Sequence, residues 1–219
     1  MCGRFTLASP AQAVAAALGL PDFPALPPRF NIAPTQAVAI VRELPARQVA
    51  LVRWGLVPSW TKDLAQLPLL FNARAETVAE KPSFRAAFRN RRCILPADGF
   101  FEWTGVAKSR RAHYFTRADG APFAFAGLWE RWLGPDGSEL DSCTILTTGP
   151  NELLARFHDR MPAILPREWI DAWLDPALRD PARLSGLIAP YPAEAMHERA
   201  VGPTVNSAKN EGPACIEPT

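Results

Sequence analysis

The chain opens Met1-Cys2-Gly3-Arg4-Phe5. Initiator methionine is commonly trimmed when the second residue is small, as Cys is. Trimming would leave Cys2 with a free α-amine and a thiol on adjacent carbons. The reference pKa is ~7.7–8.0 for the amine and ~8.5 for the thiol, so both are partly deprotonated near neutrality and both are usable nucleophiles. An amine condenses with an aldehyde to form an imine. The neighbouring thiol can then close on the imine carbon and give a five-membered thiazolidine. No internal cysteine can do this, because its nitrogen lies in a peptide bond. A Met-Cys start on its own is more often just an ordinary second residue.

Other polar residues stand among apolar ones. Glu102 sits in Asp98-Gly99-Phe100-Phe101-Glu102-Trp103. A carboxyl group in so aromatic a strand is partly desolvated, which raises its pKa toward that of a working acid/base; alternation could instead turn it to water. His158, in His158-Asp159-Arg160-Met161-Pro162, follows a helix end, where it could move protons or simply face the helix dipole. Asn72 begins Asn72-Ala73-Arg74-Ala75-Glu76-Thr77, directly after Leu69-Leu70-Phe71. Trp60 and Trp103 lie in or beside loops near charged residues, positions from which a ring can stack on a base. The other tryptophans read as core.

The elements that must carry these residues are short. Proline is abundant, 23 of 219 residues, and it lacks an N–H and ends helices. A helix is predicted over about 10–18, with Ser9 as N-cap, Pro10 at the first helical position, Gln12 completing a capping box and Gly19 at the end. The stretch 21–34 holds Pro21, Pro24, Pro27, Pro28 and Pro34 and reads as an irregular loop. Gln36–Glu43 and Gln48–Trp54 read as a hairpin, Gly55–Leu70 as loop, and Pro82–Asn90 as a short helix bearing Arg85 and Arg89. Strands follow at Arg92–Leu95, Gly99–Trp103, Ala112–Arg117, Phe123–Trp129 and Cys143–Thr147. Helices are expected at Asn151–Phe157 and Pro166–Leu174, and Glu198–Asn206 returns as a strand. Strands outnumber helices and the two do not alternate regularly. That predicts an α+β fold, a mostly antiparallel barrel-like sheet with short flanking helices, in one domain over residues 1–219.

Composition narrows the classes. Hydrophobic residues make up 48% and charged residues 21%, which excludes a disordered, collagen-like or coiled-coil chain. No apolar run approaches the ~18 residues of a membrane span, and the start does not read as a secretory signal. The four cysteines form no C-x-x-C pair and the three histidines are scattered, so neither a disulfide framework nor a metal site is expected. A cytoplasmic protein without cofactor follows, with Cys93 and Cys143 as buried small hydrophobes. Net charge is +2, but residues 1–117 hold 16 Lys and Arg against 7 Asp and Glu, and residues 118–219 hold 8 against 15. The basic half suits an anionic partner such as nucleic acid.

Met1-Cys2-Gly3-Arg4-Phe5, Arg29-Phe30-Asn31-Ile32-Ala33-Pro34, Trp54-Gly55-Leu56-Val57-Pro58-Ser59-Trp60, Asn72–Thr77 with Lys81-Pro82-Ser83-Phe84-Arg85, Arg92–Trp103 and His158–Pro162 occur in this order. Together they resemble the SOS-response-associated peptidase (SRAP) family, the abasic-site processing proteins, and the resemblance runs from Cys2 to about Asn210. It implies a DNA damage response protein whose Cys2 crosslinks to the aldehyde of an abasic site in single-stranded DNA. It further implies that Asn72 orients the adduct, Glu102 is the acid/base that opens the sugar ring, and His158 aids imine formation and reversal. Arg4, Arg74 and Arg160 bind phosphates beside the lesion, Trp60 and Trp103 pack against bases or the DNA bend, and Asn31 supports the pocket; Arg85, in the basic half, is a further candidate for DNA binding. Lyase activity and a thiol autopeptidase that removes Met1 belong to the same implication. The protein is expected to work as a monomer, associated with the nucleoid when engaged on DNA. Asp159 departs from the family pattern, where Asn is expected, and an acid beside Arg160 would weaken its phosphate contact unless it points away.

One rival shares the Met-Cys-Gly start: an N-terminal-nucleophile glutamine amidohydrolase, which uses the Cys2 thiol with its own amine as base. It requires an Asn-Gly oxyanion motif, and the Asn72–Thr77 block does not match one. A non-covalent single-strand binder is the other alternative, and a denaturant-resistant adduct separates it from the first reading.

Overall fold

The computed structural model describes residues 2–106 and 109–219. Its elements are β1 (Phe5–Leu7), α1 (Ala11–Leu18), β2 (Arg29–Ile32), β3 (Ala37–Glu43), β4 (Arg47–Trp54), β5 (Asn72–Arg74), α2 (Arg85–Asn90), β6 (Arg92–Ala97), β7 (Gly99–Thr104), β8 (Arg111–Arg117), β9 (Phe123–Leu133), β10 (Glu139–Thr148), β11 (Met161–Pro162), α3 (Ile170–Leu174), α4 (Pro181–Ser185) and β12 (Met196–Val201). Strands dominate because the sequence is broken every few residues by proline or glycine, which leaves little room for a helix to propagate.

Five strands close on themselves. β10 pairs β4, β4 pairs β3, β3 pairs β6, β6 pairs β9, and β9 pairs back to β10. Only the β4–β10 contact in this ring is parallel. β9 carries the closure: Phe123 to Glu130 are all buried, as expected of a strand covered on both faces. Gly127 stands between Cys93 of β6 and Ile145 of β10. A Cβ there would lie 2.4 Å from Leu95 Cδ1 and 3.0 Å from Cys93 Sγ, so the barrel closes this tightly only around glycine.

The second sheet is antiparallel, in the order β12-β8-β7-β1-β2. Aromatic rings join it to the barrel. Phe5 of β1 meets Trp54 of β4 at 5.1 Å and Phe125 of β9 at 6.2 Å. Phe100 of β7 meets Phe123 and Phe125 at 6.2 and 5.9 Å. The start of the chain is thereby fixed at the junction of the two sheets.

The α+β, barrel-like expectation holds, and several element boundaries need correction. Helix α1 begins at Ala11, with Pro10 as N-cap and no side-chain cap. Ser9 lies one residue before the N-cap and does not cap it, its amide donating to Asp98 Oδ2 at 2.9 Å; Gly19 does end it, in the left-handed conformation. The proline-rich stretch 21–34 is not wholly irregular. Its end forms β2, which pairs with β1. The helix expected at Asn151–Phe157 is only a 3-10 turn, Leu154–Arg156, anchored where Asn151 Oδ1 accepts from the Leu154 amide. Pro166–Leu174 divides into a 3-10 turn and α3. The last strand stops at Val201, because Gly202-Pro203 follow and Pro203 has no N–H to continue the ladder. Cys93 and Cys143 are buried, as expected. No helix among the described residues is long and apolar enough to cross a membrane.

Candidate functional site

β1 begins three residues after Cys2, and its pairing with β7 through Phe5 and Phe100 places the chain start beside the Glu102 end of that strand. Cys2 itself is fully buried. Asn72, the first residue of β5, donates from Nδ2 to the Cys2 carbonyl at 2.8 Å. Burial above all, with Glu102 adding to it, pushes the thiol well above its ordinary pKa, so at neutral pH the sulfur keeps its proton until a neighbour takes it.

Glu102 is 3% exposed, on a strand whose residues 99–102 are all buried. Burial pushes its carboxyl up to about 7. The group therefore exchanges a proton at neutral pH, which an ordinary carboxylate does not. Of the two sequence alternatives for Glu102, the desolvated one is realised.

His158 follows the 3-10 turn, its amide donating to Leu154 O at 2.9 Å. Burial, chiefly, lowers its pKa. Its Nδ1 lies 2.9 Å from the Arg160 amide nitrogen and 2.8 Å from Asp159 Oδ1. An N–H is accepted only by an unprotonated ring nitrogen, whereas a carboxylate is met only by a protonated one. The two contacts belong to different protonation states of Nδ1; the lowered pKa favours a neutral ring at pH 7, and the tautomer with its proton on Nε2 accepts from the Arg160 amide. Asp159 thus turns toward His158.

The side chain of Arg160 is held elsewhere. Its Nη1 and Nη2 donate to Glu76 Oε1 and Oε2 at 2.7 and 2.8 Å, and Nη2 also donates to Thr147 O at 2.5 Å. Arg160 in turn holds Glu76 below the usual carboxylate range. Glu76, and not Asp159, is the acid that competes for this guanidinium. Arg74 is exposed on β5, in register with Thr147, at the same edge as the Arg160–Glu76 pair.

A polar pocket of about 380 Å³ is lined by Gly3, Arg4, Glu102, Trp103, Gly105, Arg110 and His158. Arg4 lies with its guanidinium 5.6 Å from the centre of the Trp103 ring, and Arg110 lies 4.6 Å from it. Two cations on one ring make a surface that an anion relieves. Arg4 is fixed by donation to Asn31 Oδ1 at 2.6 Å and to Val205 O at 2.8 Å. Asn31 is 1% exposed, and its Nδ2 donates to Ser207 O and Asn210 O at 2.9 and 2.8 Å. It acts on the pocket through Arg4 and the C-terminal segment. Asn206 Oδ1 accepts from Trp103 Nε1 at 2.8 Å and so orients that ring.

The structure therefore brings Cys2, Asn72, Glu102, His158, Arg4 and Trp103 together, with Asn31 behind Arg4. Trp60 and Arg85 do not line this pocket. Trp60 is 59% exposed against Lys62, Gln66 and Pro68, and Arg85 is exposed on α2. Sequence reasoning missed Arg110, whose signal is the Arg110-Arg111 pair just beyond β7, and Asn206, for which no local signal exists. Among the described residues no group of three or more His, Cys, Asp or Glu is placed to hold a metal ion.

The sequence profile of the SOS response associated peptidase (SRAP) family matches residues 1–208, and the chain belongs to that family. It is 42% identical over 224 aligned residues to the abasic site processing protein YoqW of Bacillus subtilis, with 99% of each chain covered. It is 30% identical to the abasic site processing protein HMCES of Xenopus tropicalis, where the alignment covers 78% of this chain and 57% of that protein. A crystal structure of a protein from Bacteroides thetaiotaomicron superposes with a TM-score of 0.83 at 27% identity, covering both chains fully.

Proposed function

We propose that this protein binds single-stranded DNA at an abasic site and links to it covalently through the α-amine and thiol of Cys2, shielding the lesion. One observation carries the reading: the buried Cys2 stands beside a carboxyl held near pKa 7, under a pocket whose remaining polar groups are cationic or neutral. That combination suits an aldehyde attached to phosphates. Met1, on whose removal the reading depends, lies outside the described residues.

The chemistry balances without a cofactor. Glu102 takes the hemiacetal proton and returns it to the ring oxygen, opening the sugar to its aldehyde. The Cys2 amine attacks that carbon and water leaves, giving an imine. The thiol sulfur then adds to the imine carbon, the C=N pair moves to nitrogen, and the thiol proton follows it. A thiazolidine results, and nothing is oxidised or reduced. His158, neutral with Nδ1 occupied by an amide, hands protons to the departing water and takes them back on reversal. From the imine, loss of the C2′ proton would expel the 3′ phosphate, which is the lyase branch. Arg4 and Arg110 meet phosphate at the pocket, and Arg74 and Arg160 extend the contact along the β5 edge. Trp103 supports the flanking base, with Trp60 and Arg85 farther out on the strand's path. We assign removal of Met1 to the same thiol. The whole chain serves as one domain and as a monomer, in the cytoplasm and at the nucleoid when engaged.

Denaturing electrophoresis with an abasic single strand tests the reading. A slow-migrating adduct that survives heat is the expected result. Absence of any adduct from protein whose N-terminal residue is verified as Cys2 overturns it, and glutaminase turnover by the same sample would point to the amidohydrolase instead.

A further inference from the structure

We propose that His113 is a positioning residue of this site, one ring that sets the strand carrying Glu102 against the turn carrying His158. The inference rests on the reading above, in which both groups serve Cys2.

His113 lies on β8 as the direct partner of Glu102 on β7. Directly opposed residues of an antiparallel pair project from the same face, with Cβ atoms ~4.5–5.5 Å apart. The ring is fixed at both nitrogens. Nε2 is 2.9 Å from Thr104 Oγ1, two residues beyond Glu102 on the same strand. Nδ1 is 2.6 Å from Glu198 Oε1 on β12. A carboxylate only accepts, so Nδ1 carries a proton. A hydroxyl can either donate to Nε2 or accept from it, so the ring keeps both bonds in either protonation state. It is therefore a brace that the protons moving next to it do not loosen.

The ring meets Phe157 at a tilt, 4.6 Å between centroids. Phe157 also meets Phe115 of β8 edge-on at 5.2 Å, and it immediately precedes His158. Three strands and the His158 turn thus converge on one side chain that is 14% exposed and does not line the pocket. Glu102 and His158 are 56 positions apart in the chain, and this ring touches both the strand of the one and the turn of the other. Misplacing a reacting group by ~1 Å can cost on the order of 10²-fold in rate, so a brace at this point has leverage on the chemistry without touching DNA.

The test pairs single-turnover crosslinking at saturating abasic single strand with separate measurement of strand affinity, and adds a crystal structure of each protein. His113→Ala should slow adduct formation by roughly 10- to 100-fold, leave Kd within about two-fold, and displace the Phe157–His158 turn relative to Glu102. His113→Asn, which can still donate to Glu198, should recover part of the rate. An unchanged rate with an unmoved turn overturns the proposal, as does a loss carried wholly by Kd. If His113→Ala does not fold, Glu198→Ala and Thr104→Val release one end of the ring each and are read by the same criteria. If wild-type protein makes no adduct, the proposed function fails, and the position of the turn in the variant structures alone decides the role of His113.

Discussion

The Asn72 side-chain amide donates to the Cys2 carbonyl at 2.8 Å across 70 positions of sequence, so the edge strand β5 holds the residue whose own backbone nitrogen is the proposed nucleophile. A nucleophile at a chain terminus is ordinarily the most mobile group of a fold. Here one side chain ties its carbonyl, and burial surrounds the residue.

Cys2→Ala should abolish the denaturant-resistant adduct, and Cys2→Ser should leave at most a reversible imine, since no sulfur remains to close the ring. Cys93→Ala, Cys143→Ala and Cys215→Ala should retain it, because all three are buried and none lines the described pocket. An N-terminal tag that blocks Met1 removal should act like Cys2→Ala. Electrophoresis under denaturing conditions reads each case, and a tagged protein reacting at full rate would remove the amine from the mechanism.

Asn72→Ala should slow adduct formation with little change in affinity, because the carbonyl of Cys2 loses the Asn72 tether while the phosphate contacts stay. A drop on the order of 10-fold is expected, less than for a lost proton-transfer group. Asn72→Asp offers no donor and adds a charge beside Cys2, so it should do no better than Ala. Parallel rate and binding measurements separate this from a defect in DNA recognition.

Much of this site was legible in the sequence, for reasons that differ by residue. Cys2 stood out because only the second position can yield both nucleophiles. Glu102 stood out because its neighbours are aromatic, and burial follows from them. Arg160 was legible as a cation but not as a paired one: Glu76 lies 84 positions away, and nothing local announces the pair. Asn31 likewise acquires its place from carbonyls at 207 and 210. Strand β2 was hidden by the prolines before it, since its extended form is imposed by pairing with β1 and not by its own pattern. The helix expected at Asn151–Phe157 failed because Asn151 is committed at both ends of its amide, to Leu154 and to Tyr191, which shapes a turn.

Arg92 tests the frame separately from the site. It is 5% exposed and donates to the carbonyls of Phe88, Arg89, Trp173 and Asp175, closing the ends of α2 and α3 with one guanidinium. Burial lowers its pKa to about 10, so it stays charged at pH 7. Lysine cannot reach four acceptors from one ammonium. Arg92→Lys should destabilise the chain by roughly 2–4 kcal/mol, the scale of losing charge-assisted bonds and leaving buried carbonyls unmet. Urea unfolding measures this, while adduct formation per folded molecule should be unchanged.

The Arg160–Glu76 pair makes a prediction of opposite sign to most charge removals. Glu76 engages both terminal nitrogens of Arg160 and is held ionised, so a phosphate must displace it. Glu76→Gln keeps the size of the side chain and removes the competing charge. Affinity for a single strand should rise, and the slope of log K against log salt should steepen by roughly 0.7 for one added contact. Arg160→Ala should do the reverse. An unchanged slope in both variants would show that the pair serves the fold alone.

Glu102 ties reactivity to stability. Burial moves its carboxyl from an ordinary 4.5 to about 7. The folded chain therefore holds this proton up to about pH 7, while the unfolded chain releases it near 4.5. Between those values the unfolded chain binds fewer protons, so the contribution of this group to stability falls as pH rises through that window. The displacement corresponds to about 3 kcal/mol at most. Glu102→Gln is neutral throughout, so its stability should lack this fall and exceed that of wild type above pH 7 by up to that amount. The same variant cannot exchange a proton, and its adduct formation should slow by the ~10²–10⁴ typical of lost acid/base catalysis, with affinity for the strand preserved. In wild type the step that needs the carboxylate as base should accelerate as pH rises through about 7, and in Glu102→Gln that rise should vanish. Urea unfolding at pH 5 and pH 8, beside single-turnover rates across the same range, reads both halves. A variant that is no more stable at pH 8 yet binds poorly would make Glu102 a residue that positions DNA, and the proton transfers would have to be assigned to another group.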